Sequence, residues 1–149
     1  LNINHLRSKR GTGAESNEKR MANVDSLLVM LDKIEQEQLF DDSDVLLVGD
    51  YNAYTQEEPI QTLVRAGYAD MVMRDASMGY SYVYHSEAGY LDRVFASETM
   101  AKQVKKVAVY HLNADYFYSR GFKRGLDDTM YRYADHDPIL VRVELSAAL

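Results

Sequence analysis

Asp50 and Asn52 stand two residues apart just past the apolar run Val45-Leu46-Leu47-Val48. In an extended segment that spacing turns both side chains to one side, and Gly49 lets the backbone turn tightly before them. A carboxylate and a carboxamide thus meet at a strand end, the position from which buried strands deliver functional side chains. An Asx-rich turn is the plainer alternative for Gly-Asp-x-Asn taken alone. Asp92 interrupts the otherwise apolar run from Tyr90 to Ala96. A buried carboxylate is costly, so Asp92 requires an arginine, a histidine or a metal as partner. Asp135-His136-Asp137-Pro138 places the one side chain that titrates near neutral pH among acids. A surface ion pair is the competing account there. Arg7-Ser8-Lys9-Arg10-Gly11-Thr12-Gly13 is a basic loop suited to phosphate, or a solvated loop with scattered charge.

These groups need elements to hold them. Residues 1–6 alternate as a short strand with Leu1, Ile3 and His5 on one face. Met21, Val24, Leu27, Leu28, Leu31 and Ile34 recur at three and four, predicting an amphipathic helix over about 17–38. The acidic run 41–44 reads as a solvated turn with no ligand role, leading into the buried strand at Val45. Thr55 as N-cap, Pro59 near the start and Gly67 at the end mark a short helix. Residues 70–78 have no clear period.

Tyr80, Tyr82 and Tyr84 form one face of a strand, for cross-strand aromatic packing or for stacking on bases. Glu87-Ala88-Gly89 reads as the turn and residues 90–96 as the return strand of a hairpin. Ser97 caps a short helix to Gln103, and residues 104–112 follow as a strand with Val107, Val109 and His111 on one side. The 113–130 stretch is irregular, with Arg120, Lys123 and Arg124 available to a polyanion. Ile139, Val141 and Val143 alternate in a closing strand, for which Asp137 and Pro138 supply an Asx turn and an opening.

At 149 residues, 46% hydrophobic and 27% charged, the chain has the size and composition of one ordinary domain. No apolar run approaches the length of a membrane span. The absence of cysteine excludes disulfides and cysteine-ligated zinc. A net charge of −6, from 17 Lys plus Arg against 23 Asp plus Glu, argues against a passive DNA-binding module. It leaves room for an enzyme whose carboxylates hold a divalent cation. The chain opens without methionine or a secretory leader, as expected of a portion of a longer protein.

In order, Gly-Asp-Tyr-Asn after a buried strand, Leu-Asp-Arg-Val-Phe-Ala-Ser in a later strand and Asp-His-Asp-Pro before the last strand resemble the endonuclease/exonuclease/phosphatase superfamily. Asn4-His5-Leu6-Arg7-Ser8-Lys9, Glu58-Pro59-Ile60, Tyr80-Ser81-Tyr82-Val83, Gly89-Tyr90-Leu91-Asp92 and Asn113-Ala114-Asp115 look most like its bacterial extracellular nucleases. The resemblance runs from the first residues to about Leu145. It implies an α/β fold, a four-layer α-β-β-α sandwich with two largely antiparallel sheets, of which residues 1–149 form the C-terminal portion. An upstream half would then carry a further metal-binding glutamate, without which activity of this chain alone is in doubt.

The same resemblance implies the roles. Asp50 is the base or orienting carboxylate and Asn52 fixes the water or a phosphate oxygen. His136 stabilises charge on phosphorus and Asp92 holds its imidazole. Asp135, with Asp50, takes Mg²⁺, with Mn²⁺ or Ca²⁺ as alternatives, and His5 assists the leaving oxygen. Arg7 and Lys9 contact substrate phosphate. The implied activity is metal-dependent hydrolysis of DNA, with RNA as a second substrate, by a secreted or periplasmic nuclease. A phosphoinositide- or sphingomyelin-type phosphodiesterase of the same fold and a non-catalytic binding module are the alternatives.

Overall fold

In the computed structural model, which describes residues 1–40, 44–76, 79–116 and 131–145, the elements run β1 (Asn2–His5), α1 (Gly13–Gln36), β2 (Leu46–Asp50), α2 (Glu58–Arg65), β3 (Ala69–Asp70) and α3 (Met71–Asp75). They continue with β4 (Tyr82–Tyr84), β5 (Glu87–Gly89), β6 (Asp92–Ala96), α4 (Glu98–Gln103), β7 (Val104–Val109) and β8 (Ile139–Val143). Residues 41–43 of the acidic run and the basic Arg120, Lys123 and Arg124 lie outside the described residues.

Four strands form one sheet in the order β1-β2-β6-β3, and β7 pairs with β8 in another. The β1–β2 pair is parallel, joined over α1, while β2–β6, β6–β3 and β7–β8 are antiparallel. Alternation sends side chains of the four-stranded sheet to two cores. Leu47 and Phe95 face α1 and α2, packing with Val24, Leu27, Ile60 and Leu63. Leu46, Val48, Val94 and Ala96 face the other way and pack with Val104, Val107, Val109, Ile139, Val141 and Val143 of the second sheet. The described residues thus stack helices, sheet and sheet in an α/β sandwich.

Several local expectations are corrected. The buried stripe of α1 begins at Ser16 and Arg20, ahead of Val24 and Leu27, because Arg20 is neutralised by Glu57 and donates to the Arg7 carbonyl. A buried arginine so partnered belongs inside although hydropathy places it outside. Glu57, not Thr55, is the N-cap of α2; the Thr55 hydroxyl instead accepts from Arg93 Nη2 at 2.8 Å. Ser97 is the N-cap of α4 as expected, but its hydroxyl accepts the Val45 amide and makes no side-chain capping bond. Residues 70–78 contain α3, whose five residues are too few to show a period; Asp70 caps it by accepting the Met73 amide.

The hairpin also differs. His85 and Ser86, both at positive φ, form the two-residue turn, and β5 is the return strand. β6, expected to be that return strand, pairs instead with β2 and β3.

Gly49 governs the β1–β2 contact. It sits at φ +135°, and a Cβ there would lie 1.9 Å from the Asn4 carbonyl oxygen. Only glycine permits β1 to run this close, in the register that sets His5 beside Asp50.

Candidate active site

Register builds the site. His5 is the strand partner of Asp50, and Asp50 is the partner of Asp92. Partners in adjacent strands share a face, so the three side chains form one row across β1, β2 and β6. That row lies on the face turned toward the second sheet, at the end where His136 leads into β8. His136 is tied to the first half of the hairpin by a bridge to Tyr82. Its Nδ1 lies 2.7 Å from Asp92 Oδ2, which also accepts the Ser81 hydroxyl at 2.7 Å. The partner demanded by Asp92 is therefore a histidine and a serine together.

Asp50 is held as closely. Its Oδ1 accepts the Asn52 amide at 2.7 Å and its Oδ2 the Asn52 Nδ2 at 2.9 Å. Asn52 adopts φ +48°, a conformation asparagine tolerates, and also donates to the Leu6 carbonyl at 3.1 Å. Both an Asx turn and a positioned carboxylate are thus present. His5 Nε2 stands 3.6 Å from Asp50 Oδ2, with its ring mostly exposed.

Burial pushes the Asp50 carboxyl above its usual range, against the Asn52 amide and the His136 charge, which pull it down. Burial pulls His136 down, but the Asp92 hydrogen bond and the charges of Asp92, Asp50 and Asp135 outweigh it, so its pKa is raised. The imidazolium persists to higher pH than in a free histidine.

Ligating atoms of Asp50, Asp92 and His136 all lie within 4.8 Å of one another. The carboxylates of Asp50 and Asp92 at that spacing fit a divalent cation, whereas His136 could ligate only as the neutral imidazole. Asp135 is exposed on the wall of the adjoining groove, apart from this cluster. The groove has a volume of about 1030 Å³ and is lined by His5, Asp50, Asn52 and His136, by Tyr54, Tyr82 and Tyr84, and by Arg7, Lys9 and Arg10. Lys9 is already paired with Glu57 and lies 4.8 Å over the Tyr54 ring, whereas Arg7 is exposed.

Sequence reasoning missed the support behind His136. Asp137, fully buried, accepts the backbone amides of Leu112, Asn113 and Ala114 on Oδ1 at 2.7 to 3.0 Å, and His111 Nδ1 lies 2.8 Å from Oδ2. Asn113 in turn donates to the His136 carbonyl at 2.8 Å. Asp137 was legible as structural, but a carboxylate caging amides some two dozen residues away leaves no local signal.

Asp137→Ala would strand three buried donors. It is expected to cost about 3 kcal/mol in urea denaturation. Burial raises the Asp137 pKa, but the amides of Ala114 and Asn113, His111 and the Leu112 amide lower it further, for a net depression. Its contribution to stability is therefore present above the ordinary aspartate value near 4 and is lost as pH falls through the depressed one. Wild type should lose stability in that acid window, and Asp137→Ala should lose less.

No protein-family model matches the chain, and no curated protein matches it. Solved structures do. An endonuclease/exonuclease/phosphatase family protein from Bacteroides thetaiotaomicron superposes with a TM-score of 0.54 at 18% identity, over 82% of this chain and 43% of that one. The 3′ phosphatase NExo from Neisseria, bound to a product DNA hairpin, gives 0.60 at 14% identity, over 93% and 57%. A mannosyl-6-phosphatase from B. thetaiotaomicron gives 0.62 at 16%, over 96% and 50%. The chain has the endonuclease/exonuclease/phosphatase fold. It spans about half the length of these matched structures.

Proposed function

We propose that this chain carries the base and histidine of a divalent-metal-dependent phosphodiesterase acting on nucleic acid, DNA first and RNA second. The observation behind this reading is the row His5, Asp50 and Asp92, closed by His136, in the wall of a groove bearing tyrosines and cations. Phosphodiester hydrolysis needs an in-line nucleophile, relief of charge on the non-bridging oxygens and help for the leaving group.

Asp50, made more basic by burial, takes the proton of the attacking water, and the two Asn52 donors hold its carboxylate in orientation. His136 is oriented through Nδ1 by Asp92 and kept protonated, so Nε2 donates to the oxygen that gains charge on phosphorus. His5, beside Asp50, protonates the leaving oxygen. Asp50 and Asp135 would hold the cation, Asp50 from within the carboxylate cluster and Asp135 from the wall of the same groove. When bound, a divalent ion supplies positive charge at the phosphate. Nucleic acid is favoured as substrate because the groove combines tyrosines with Arg7, Lys9 and Arg10. The matched 3′ phosphatase NExo is bound to a product DNA hairpin.

The test is relaxation of supercoiled plasmid by this chain and by a form extended upstream, in Mg²⁺ and in EDTA. Nicking in Mg²⁺, abolished by EDTA, is the expected result. If neither form cuts nucleic acid in any divalent ion, the reading fails.

A further inference from the structure

The hairpin carries more aromatic surface than the chemistry of the row uses. The rings of His136, Tyr82, Tyr84 and His85 follow one another with centroids 4.6, 6.3 and 4.2 Å apart, and the Tyr82 and Tyr84 planes are only 11° from parallel. The series starts at the imidazole of the row and ends in solvent, where Tyr84 is 57% exposed. β4 pairs with the three-residue β5 and touches the other edge only through the single Tyr82–His136 bridge, and the tyrosine edge lines the groove. Across from it, Tyr54 is wedged between the hairpin and the basic loop. A Cβ on Gly89 would lie 2.7 Å from the Tyr54 ring, and Lys9 covers that ring at 4.8 Å. Gly89 thus seats a third tyrosine and, through it, a cation against the hairpin.

We infer that the Tyr82–Tyr84 edge is a stacking platform for unpaired bases, so that the groove takes single-stranded nucleic acid in preference to duplex. The inference rests on the phosphodiesterase reading for its substrate class and goes beyond it in naming the strand state. A base inside a duplex has both faces covered by its neighbours, whereas an unpaired base offers a free face to Tyr84. Charge alone does not hold the strand: the chain carries −6 overall, and Lys9 is ion-paired with Glu57, which it shares with Arg20. Stacking supplies the affinity that counterion release does not. A strand laid along the rings has its sugar-phosphate backbone at the Arg7 and Lys9 side and one phosphate at His136.

Fluorescence anisotropy in EDTA tests this without any cleavage. The probes are a labelled twelve-nucleotide oligothymidylate, an abasic strand of the same length and charge, and a blunt duplex. Wild type should bind the oligothymidylate about tenfold more tightly than the abasic strand, and more tightly than the duplex. Tyr84→Ala should remove the advantage over the abasic strand, and Tyr84→Phe should keep it. Equal affinity for base-bearing and abasic strands in wild type overturns the inference. So does stronger binding of duplex, a Tyr84→Ala loss common to all probes, or no binding of any strand. Hydrolysis of bis(4-nitrophenyl) phosphate in Mg²⁺, which needs no base, reports separately on the phosphodiesterase reading.

Discussion

His136→Ala is expected to slow phosphodiester hydrolysis by about a thousandfold or more while lowering the thermal midpoint by only a few degrees. A positioned acid–base group contributes roughly 10²–10⁴ in rate, and a preorganised donor to a developing oxyanion about 10²–10³. The side chain is half-buried, and its loss removes one hydrogen bond from Asp92, which keeps Ser81 as a donor. The structural cost is therefore about 1 kcal/mol. pH separates the two effects. Because the His136 pKa is raised, the rate should hold into the neutral range and decline as pH rises through the raised value. Asp92→Asn, which removes the main carboxylate responsible, should move that decline to lower pH. The same sign applies to stability: the His136 contribution is complete below the ordinary histidine value and lost as pH rises through the raised one. Steady-state rates against pH for the three proteins, beside their melting curves, check this. A His136→Ala protein with wild-type rate would remove the imidazole from the mechanism.

Asp70→Ala is expected to cost about 3–5 kcal/mol, a fall in thermal midpoint of roughly 10 °C. Arg93 is 1% exposed, and burial alone pulls its pKa down, opposed mainly by Asp70. Asp70 Oδ2 accepts Arg93 Nη1 at 2.8 Å, while Thr55 and the Tyr90 carbonyl take Nη2. Without Asp70 the guanidinium is left as a buried, uncompensated charge, and α3 loses its cap. The apolar double change Asp70→Leu with Arg93→Met should recover most of the loss, since a buried ion pair and a packed apolar pair differ little. Urea unfolding of wild type, single and double variants measures the cycle. A loss below about 1 kcal/mol in Asp70→Ala would show that the pair is not what closes this end of the sheet.

Elements with strong periodicity were readable in the sequence: the buried strand at Val45, the stripe of α1 and the alternation of β8. The elements misread were those decided by distant partners. β6 follows a hairpin in the chain but belongs to β2, because register there brings Asp92 level with Asp50 and buries Val94 and Phe95 on opposite faces. The true turn, His85-Ser86, carries no glycine or asparagine, so Glu87-Ala88-Gly89 looked the better turn. For the site, the need of Asp92 for a partner was legible from burial cost, and the spacing of Asp50 and Asn52 from the period of a strand. Ser81, Asn113 and the Asp137 cage were not, since each acts across separations that no local pattern encodes.

The in-register row has a consequence for how such a site changes over generations. The Cα positions of residues 5, 50 and 92 are set by backbone ladders and by Gly49, not by the side chains standing there. Side chains at those places can be exchanged without renegotiating the fold, and the loops rimming them can be rewritten independently. Chemistry and substrate choice are then separately heritable. A sheet end of this kind can keep its address while its tenants drift, in keeping with a fold shared at 14% and 16% identity with a DNA-bound 3′ phosphatase and a sugar phosphatase.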